Sequence, residues 1–146
     1  IYNNPVRPAL LNTRVSWHYY PLDIDRMQQA AQYLLGEHDF NSFRSTQCNS
    51  KTSVRKVSEI SFNRQGDYIF IEIEANAFLH HMVRNIVGSL MKVGNGRREI
   101  AWMQQVLQAK SRKVAAETAP ADGLYLTRVR YPDSYNFPLT DVPFLL

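Results

Sequence analysis

A single cysteine, Cys48, stands among the 146 residues, so no intrachain disulfide can form and no Cys-x-x-Cys pair exists to hold a metal. None of the four histidines lies four residues from another, which removes the other common metal-ligand spacing on a helix. Glycine is scarce, six in all and nowhere clustered, so a glycine-rich phosphate loop is excluded. No run of about 18 apolar residues occurs; the longest candidate is interrupted by His80, His81 and Arg84. Repeats and low-complexity stretches are missing too. No metal site and no membrane span are therefore expected, and the lone thiol suits an intracellular, cytoplasmic location.

What is present points to one folded domain. At 45% hydrophobic the chain carries enough apolar surface for a single core, since domains commonly run about 100 to 150 residues. The net charge of +4 and a pI near 9.3 suit an anionic partner.

The local pattern mixes strands and helices. Ile1-Tyr2 reads as a strand already under way, and Pro5 and Pro8 then break regular structure into a loop. Asp23 is a good N-cap, and Ile24, Met27, Ala31 and Leu34 recur at helical spacing until Gly36 ends the helix. From Val54 to Arg64 and from Tyr68 to Asn76 apolar and polar residues alternate. Ile60 and Phe62 share a face on the first run, Ile69, Ile71 and Ile73 on the second, and Gln65-Gly66-Asp67 joins them as a hairpin. Asn76 then caps a helix that runs to Val93, with Gly94 and Gly96 marking its end. Glu99 to Lys110 forms another amphipathic helix, Ser111 to Ala119 a basic turn or loop, and Leu124 to Tyr131 a last strand stopped by Pro132. The expected fold class is α+β, an antiparallel or mixed sheet backed by helices.

The helix after the hairpin is the most informative element, because it is strongly apolar and carries one guanidinium, Arg84, in its middle. At about 100° per residue, Leu79, Val83, Ile86, Leu90 and Val93 form a core-facing stripe. Ala77, His81, Arg84 and Gly88 share the opposite side, so something bulky or anionic can approach Arg84 closely. Spacing alone does not separate a functional Arg from a solvated or ion-paired one.

The string Ala77-Phe78-Leu79-His80-His81-Met82-Val83-Arg84-Asn85-Ile86-Val87-Gly88 resembles the Phe-x-x-x-Met-Val-Arg-x-Ile-Val-Gly segment of the TruA-type tRNA pseudouridine synthases. Upstream, Gly36-Glu37-His38-Asp39-Phe40-Asn41-Ser42-Phe43-Arg44 is similar to that family's Gly-x-x-Asp-Phe-x-x-Phe segment, and downstream Gly123-Leu124-Tyr125-Leu126 is similar to its Gly-Leu-x-Leu strand. The three occur in the family's order, and the resemblance as a whole covers residues 1–135, leaving 136–146 as a proline-containing tail. One family segment has no counterpart. The nucleophilic Asp of these enzymes sits in Arg-Thr-Asp-x-Gly-Val-His, and none of the seven Asp residues lies in such a string. With a chain that opens on Ile1 rather than Met, this implies a C-terminal piece of a longer enzyme, inactive alone.

The resemblance implies roles for particular residues. Arg84 corresponds to the Arg that orients the nucleophilic Asp and keeps it ionised, and Leu124 to the leucine packed against the reacting base. Phe43, with Phe40, either stacks on a base or plugs the core, and Arg44 beside them is a phosphate contact. His81 either packs or lines an RNA cleft; His80 and His81 point about 100° apart on a helix and do not share a metal ion easily. Arg112 and Lys113, together with Arg97, Arg98 and Lys110, are either phosphate contacts or a solvated surface. The implied activity is isomerisation of uridine in the anticodon stem-loop of tRNA, at positions thirty-eight to forty, by a homodimer that uses no cofactor. A noncatalytic RNA-binding module and a dimerisation scaffold are the alternatives.

Overall fold

A computed structural model describes residues 1–131 and 133–135. Its centre is the hairpin that the alternating pattern predicts: β4 (Val54–Gln65) and β5 (Tyr68–Ala75) pair antiparallel through Gly66-Asp67. Ile60 lies opposite Ile73 and Phe62 opposite Ile71, so the apolar residues of both strands meet on one face. A register shift between Val57 and Glu59 turns Val57 into the same core. On the outer strands, β1 (Tyr2–Asn3) pairs antiparallel with β5 and parallel with β2 (Trp17–His18), and β3 (Gly36–Asp39) pairs with β4. The mixed sheet has the order β2-β1-β5-β4-β3. Neither β2 nor β3 is legible in the sequence: each is short and β3, Gly-Glu-His-Asp, has no apolar alternation.

Three helices cover one face of the sheet, which makes the fold α+β as expected. In α1 (Ile24–Ala31) the Asp23 carboxylate accepts from Arg26 N at 3.0 Å, the predicted cap. The helix then tightens into a 3-10 turn at Gln32–Leu34 and stops before Gly36, whose φ of +95° opens β3. Met27, Ala30 and Ala31 of α1, Ile86, Leu90 and Val93 of α2 (Met82–Gly94), and Met103 and Val106 of α3 (Trp102–Ala109) are all buried with Val57 and Ile69 from the sheet. Each of the larger side chains among these, from valine upward, contributes roughly 1.5–3 kcal/mol of transfer free energy. Among the described residues no helix is long and apolar enough to cross a membrane.

Two boundaries differ from the sequence pattern. Asn76 does not cap α2; its N–H donates to Lys56 O at 3.0 Å and its side-chain oxygen accepts from Lys56 N at 2.9 Å, which prolongs the sheet ladder. The helix begins six residues later, after His81 in the left-handed conformation at φ +62°. Leu79 is buried before the helix starts, Met82 takes its place on the core stripe, and Val83 is only half-buried. The second difference is larger. Residues 124–131 form no strand, and Leu124, Leu126, Val129 and Tyr131 are all exposed. Apolar alternation makes a strand only where a segment pairs with a neighbouring ladder, and residues 124–131 join no ladder of the five-stranded sheet. The tail at 136–146 lies outside the described residues.

Candidate functional site

Arg84 sits one turn into α2, and the face expected to lie open beside it is covered by the chain itself. Residues 116–119 run antiparallel along this helix as a strap. Ala119 N donates to Arg84 O at 3.1 Å and Ala119 O accepts from Arg84 Nε at 2.8 Å. Further along, Thr118 Oγ1 donates to Asn85 Oδ1 at 2.7 Å, Ala116 N donates to Ser89 Oγ at 3.3 Å, and Lys92 pairs with Glu117 at 2.9 Å. The Lys92 ammonium holds the Glu117 carboxyl below its usual pKa through a hydrogen bond and charge attraction.

Gly88 makes this approach possible. A Cβ there would fall well inside the van der Waals radius of the Glu117 carbonyl oxygen and 3.3 Å from Ala119 N, so the close packing requires the missing side chain. The small neighbour predicted beside Arg84 therefore admits this chain's own backbone. Arg84 remains half-buried with its Nε fixed, while neither Nη has a partner among the described residues.

Asn85, fully buried in the next helical position, ties three elements together. Its Nδ2 donates to Phe43 O at 2.7 Å, its Oδ1 accepts from Thr118, and Thr118 Oγ1 in turn accepts from Arg112 at 3.1 Å. The sequence reading missed both Asn85 and Thr118. The signal available was Asn85 and Ser89 at i, i+4 spacing in an otherwise apolar helix: buried polar side chains need partners, and a pair on one stripe implies a polar strand against it.

Of the predicted site residues, Phe43, the Arg44 loop, His81 and Arg112 are tied to this end of α2, with one correction. Phe43 is fully buried and packs on Phe40 with ring centroids 6.1 Å apart. It presents no face to a base; of the two roles open to it, the core plug is the one its burial fits. Arg44 follows it, its Nη2 donating to Cys48 O and Ser50 O at 2.7 and 2.9 Å, and the loop it ties abuts α2 through Ser45 N donating to His80 O at 3.0 Å. Arg44 and Arg112, 68 positions apart in sequence, line one cleft of about 170 Å³ with Asn41, Ser45 and Thr46. Part of the Arg112 guanidinium is used internally, on Ala115 O and Thr118.

His81 stacks on His80 at 3.9 Å. Its pKa lies below the ordinary value, first through desolvation and then through the neighbouring His80 and Arg84, so the ring is neutral at neutral pH. Beside it the Cys48 thiol is shifted downward, chiefly by N–H groups of Ser50 and His80 that stabilise its thiolate.

Leu124 is half exposed at 50% and stands five residues beyond Ala119. Gly123, at φ +84° and with no room for a Cβ against Ser16 N and Val15, makes the bend that turns it out. Ser16 Oγ donates to Asp122 O at 2.5 Å and Tyr125 OH to Arg14 O at 2.8 Å, which pins this bend to the 14–16 segment. The basic cluster read from the sequence divides in two. Arg97 and Arg98 lie before α3, over the rings of Tyr20 and Trp102 at 5.0 and 5.1 Å. Lys110, Arg112 and exposed Lys113 follow the helix, some 12 Å further along at about 1.5 Å per residue.

Comparison with known proteins identifies the family. The family model described as tRNA pseudouridine synthase matches residues 30–132, which include Arg84, Asn85, Gly88 and Leu124. Two proteins named tRNA pseudouridine synthase A are similar throughout: one from Actinobacillus succinogenes is 53% identical over 140 residues, 96% of this chain and 53% of the relative. One from Klebsiella pneumoniae is 55% identical over 139 residues, 95% of this chain and 52% of the relative. The chain thus spans about half the length of the curated relatives it matches. A match across 103 of 146 residues (30 to 132) that takes in the Arg84 helix, the strap and the Leu124 bend makes this chain a member of the tRNA pseudouridine synthase family.

Proposed function

We propose that this chain is the C-terminal part of an enzyme that isomerises uridine to pseudouridine in the anticodon stem-loop of tRNA, at positions thirty-eight to forty. The observation that carries this reading is half-buried Arg84, held through Nε by Ala119 with neither Nη partnered among the described residues. Such a fork is set to receive a carboxylate in a bidentate pair. The reaction breaks the C1′–N1 bond of uridine, turns the uracil over, joins C1′ to C5 and releases the C5 proton. A carboxylate nucleophile attacks more readily when ionised and correctly aimed, and a guanidinium within hydrogen-bond reach favours the ionised form. The nucleophilic Asp comes from outside these 146 residues.

Leu124, exposed and apolar, packs against the uracil. His81, neutral and one turn from Arg84, lines the cleft. The Arg44–Arg112 cleft, with Ser45 and Thr46, takes a backbone phosphate, and Lys113 adds a phosphate contact beside it. The complete protein acts in the cytoplasm as a homodimer and needs no cofactor or metal. The same cleft also fits a second reading, a noncatalytic RNA-binding module.

The test is tritium release from tRNA labelled at uracil C5. The isolated chain is expected to release none above background, and a complete protein carrying an upstream Asp is expected to release it catalytically. Turnover by the isolated chain would remove the need for an external nucleophile; no turnover by the complete protein would favour the RNA-binding reading.

A further inference from the structure

Arg84 has three donor nitrogens and a long, flexible stem, and a guanidinium free to rotate would meet a carboxylate in many geometries. Orientation of a catalytic partner is worth a great deal in rate, because a misplacement of about 1 Å far from the reacting atoms can cost on the order of a hundredfold. What fixes this side chain is one backbone carbonyl, Ala119 O at 2.8 Å from Nε. That carbonyl belongs to no helix or strand; its position depends on how the strap is seated on α2, with the chain beyond it pinned by Ser16 to Pro120 O and Asp122 O.

The seat is built along two rows of the helix. Arg84, Gly88 and Lys92, each four residues apart, meet Ala119 and Glu117; Asn85 and Ser89 meet Thr118 and Ala116. The Lys92–Glu117 pair is largely exposed on the acidic side and adds little. The two features that hold the strap at its close distance are therefore the bare Cα of Gly88 beneath Glu117 and the Thr118 hydroxyl, which donates to buried Asn85 while accepting from Arg112. Asn85 also grips Phe43 O, so the strap, the Asn41–Phe43 turn and α2 share one hydrogen-bonded junction. This junction reaches the Arg44–Arg112 cleft, because Arg112 belongs to both.

We propose that Gly88 and Thr118 are positioning residues, which seat the strap so that the Ala119 carbonyl locks Arg84 in the orientation that receives the nucleophilic carboxylate. Neither touches substrate; both act through Ala119 and Arg84. The proposal rests on the reading of Arg84 given above. A methyl at Gly88 lifts Glu117 and carries Ala119 O out of reach of Nε. Thr118→Val keeps the shape of the side chain and deletes only the hydroxyl, leaving Asn85 Oδ1 without its donor.

Two measurements test it. In the ¹⁵N-labelled 146-residue chain, the Arg84 Nε–H resonance, assigned by its loss in Arg84→Lys, is expected to exchange slowly with water; in Gly88→Ala and in Thr118→Val it is expected to shift and exchange faster. In the complete protein both variants are expected to lose about tenfold in kcat with KM for tRNA within about twofold, on the scale of one displaced orienting contact. An Arg84 resonance unchanged in position and exchange, or a kcat that stays normal when the resonance has moved, overturns the positioning role. If Gly88→Ala does not fold, Thr118→Val alone decides. Normal turnover by Arg84→Lys overturns the proposal by a different route, since it removes the reading of Arg84 while the resonance still reports whether the strap holds it.

Discussion

Replacing Arg84 by Lys in the complete protein keeps the positive charge and removes the planar fork, and the structure allows the loss to be worked out. Arg84 divides its donors: Nε is committed to Ala119 O at 2.8 Å, and the two Nη groups are left for a carboxylate. Lysine offers one nitrogen. It must either keep the strap and make a single, poorly aimed contact to the nucleophile, or follow the carboxylate and release Ala119 O. The first choice forfeits one charge-assisted hydrogen bond, about 1.5–3 kcal/mol, and the second forfeits a bond to the strap worth about 1 kcal/mol together with its orientation. The first route costs the transition state up to about 3 kcal/mol, roughly a hundredfold in rate, and the second reaches that figure once lost orientation adds about 2 kcal/mol. The assay is tritium release from C5-labelled tRNA, run as kcat and KM separately, with circular dichroism and a thermal melt to establish that the fold persists. The loss is expected in kcat, because the carboxylate is not part of substrate binding. Near-normal turnover by a folded Arg84→Lys protein would refute the argument and make Arg84 an anchor for the strap alone.

Two further outcomes are expected of the 146-residue chain. The Ile1 amine donates to Ile69 O at 2.8 Å, and burial lowers its pKa from 8.0 to about 6. The unfolded chain then binds this proton below about pH 8 and the folded chain only below about pH 6, so stability is full above pH 8 and is lost as pH falls to 6, by about 2–3 kcal/mol at roughly 1.4 kcal/mol per pH unit. Urea titrations across that range should show the fall, and N-terminal acetylation should abolish it; an identical fall in the acetylated chain would assign it to other groups. For RNA, a log affinity against log salt slope of about −3 is expected if three cations touch phosphates, and Lys113→Gln should flatten it by about 0.9. An unchanged slope would make Lys113 part of a solvated face.

Several features were legible because they depend on near neighbours in the chain. The hairpin of β4 and β5 follows from period-2 alternation on either side of Gly66-Asp67, and the cap of α1 from Asp23 ahead of a helical stripe. Arg84 stood out as the one guanidinium in an apolar helix, and Gly88 as a small residue four positions on. What covers Gly88 was not legible, because its partner, Glu117, lies 29 residues away and carries no pattern of its own. Phe43 was ambiguous for a similar reason: an aromatic beside a turn can face in or out, and its burial at 0% follows from where α3 and α2 close over the Asn41–Phe43 turn.

The failure at residues 124–131 has a different physical origin. Their alternation is real, yet a strand exists only as a pairing, and a period-2 sequence cannot supply the neighbouring ladder. The sequence by itself determined the elements whose hydrogen bonds close locally, the guanidinium opposite the core stripe of an apolar helix, and membership of a family through contiguous motifs. The tertiary structure alone decided which side of the Arg84 helix is covered, that Nε is taken by Ala119 while neither Nη has a partner among the described residues, and that Arg44 and Arg112 share a cleft. Those facts depend on contacts between segments 35 to 68 residues apart, whose geometry is set by the close-packed core that brings α2, the strap and the Asn41–Phe43 turn together.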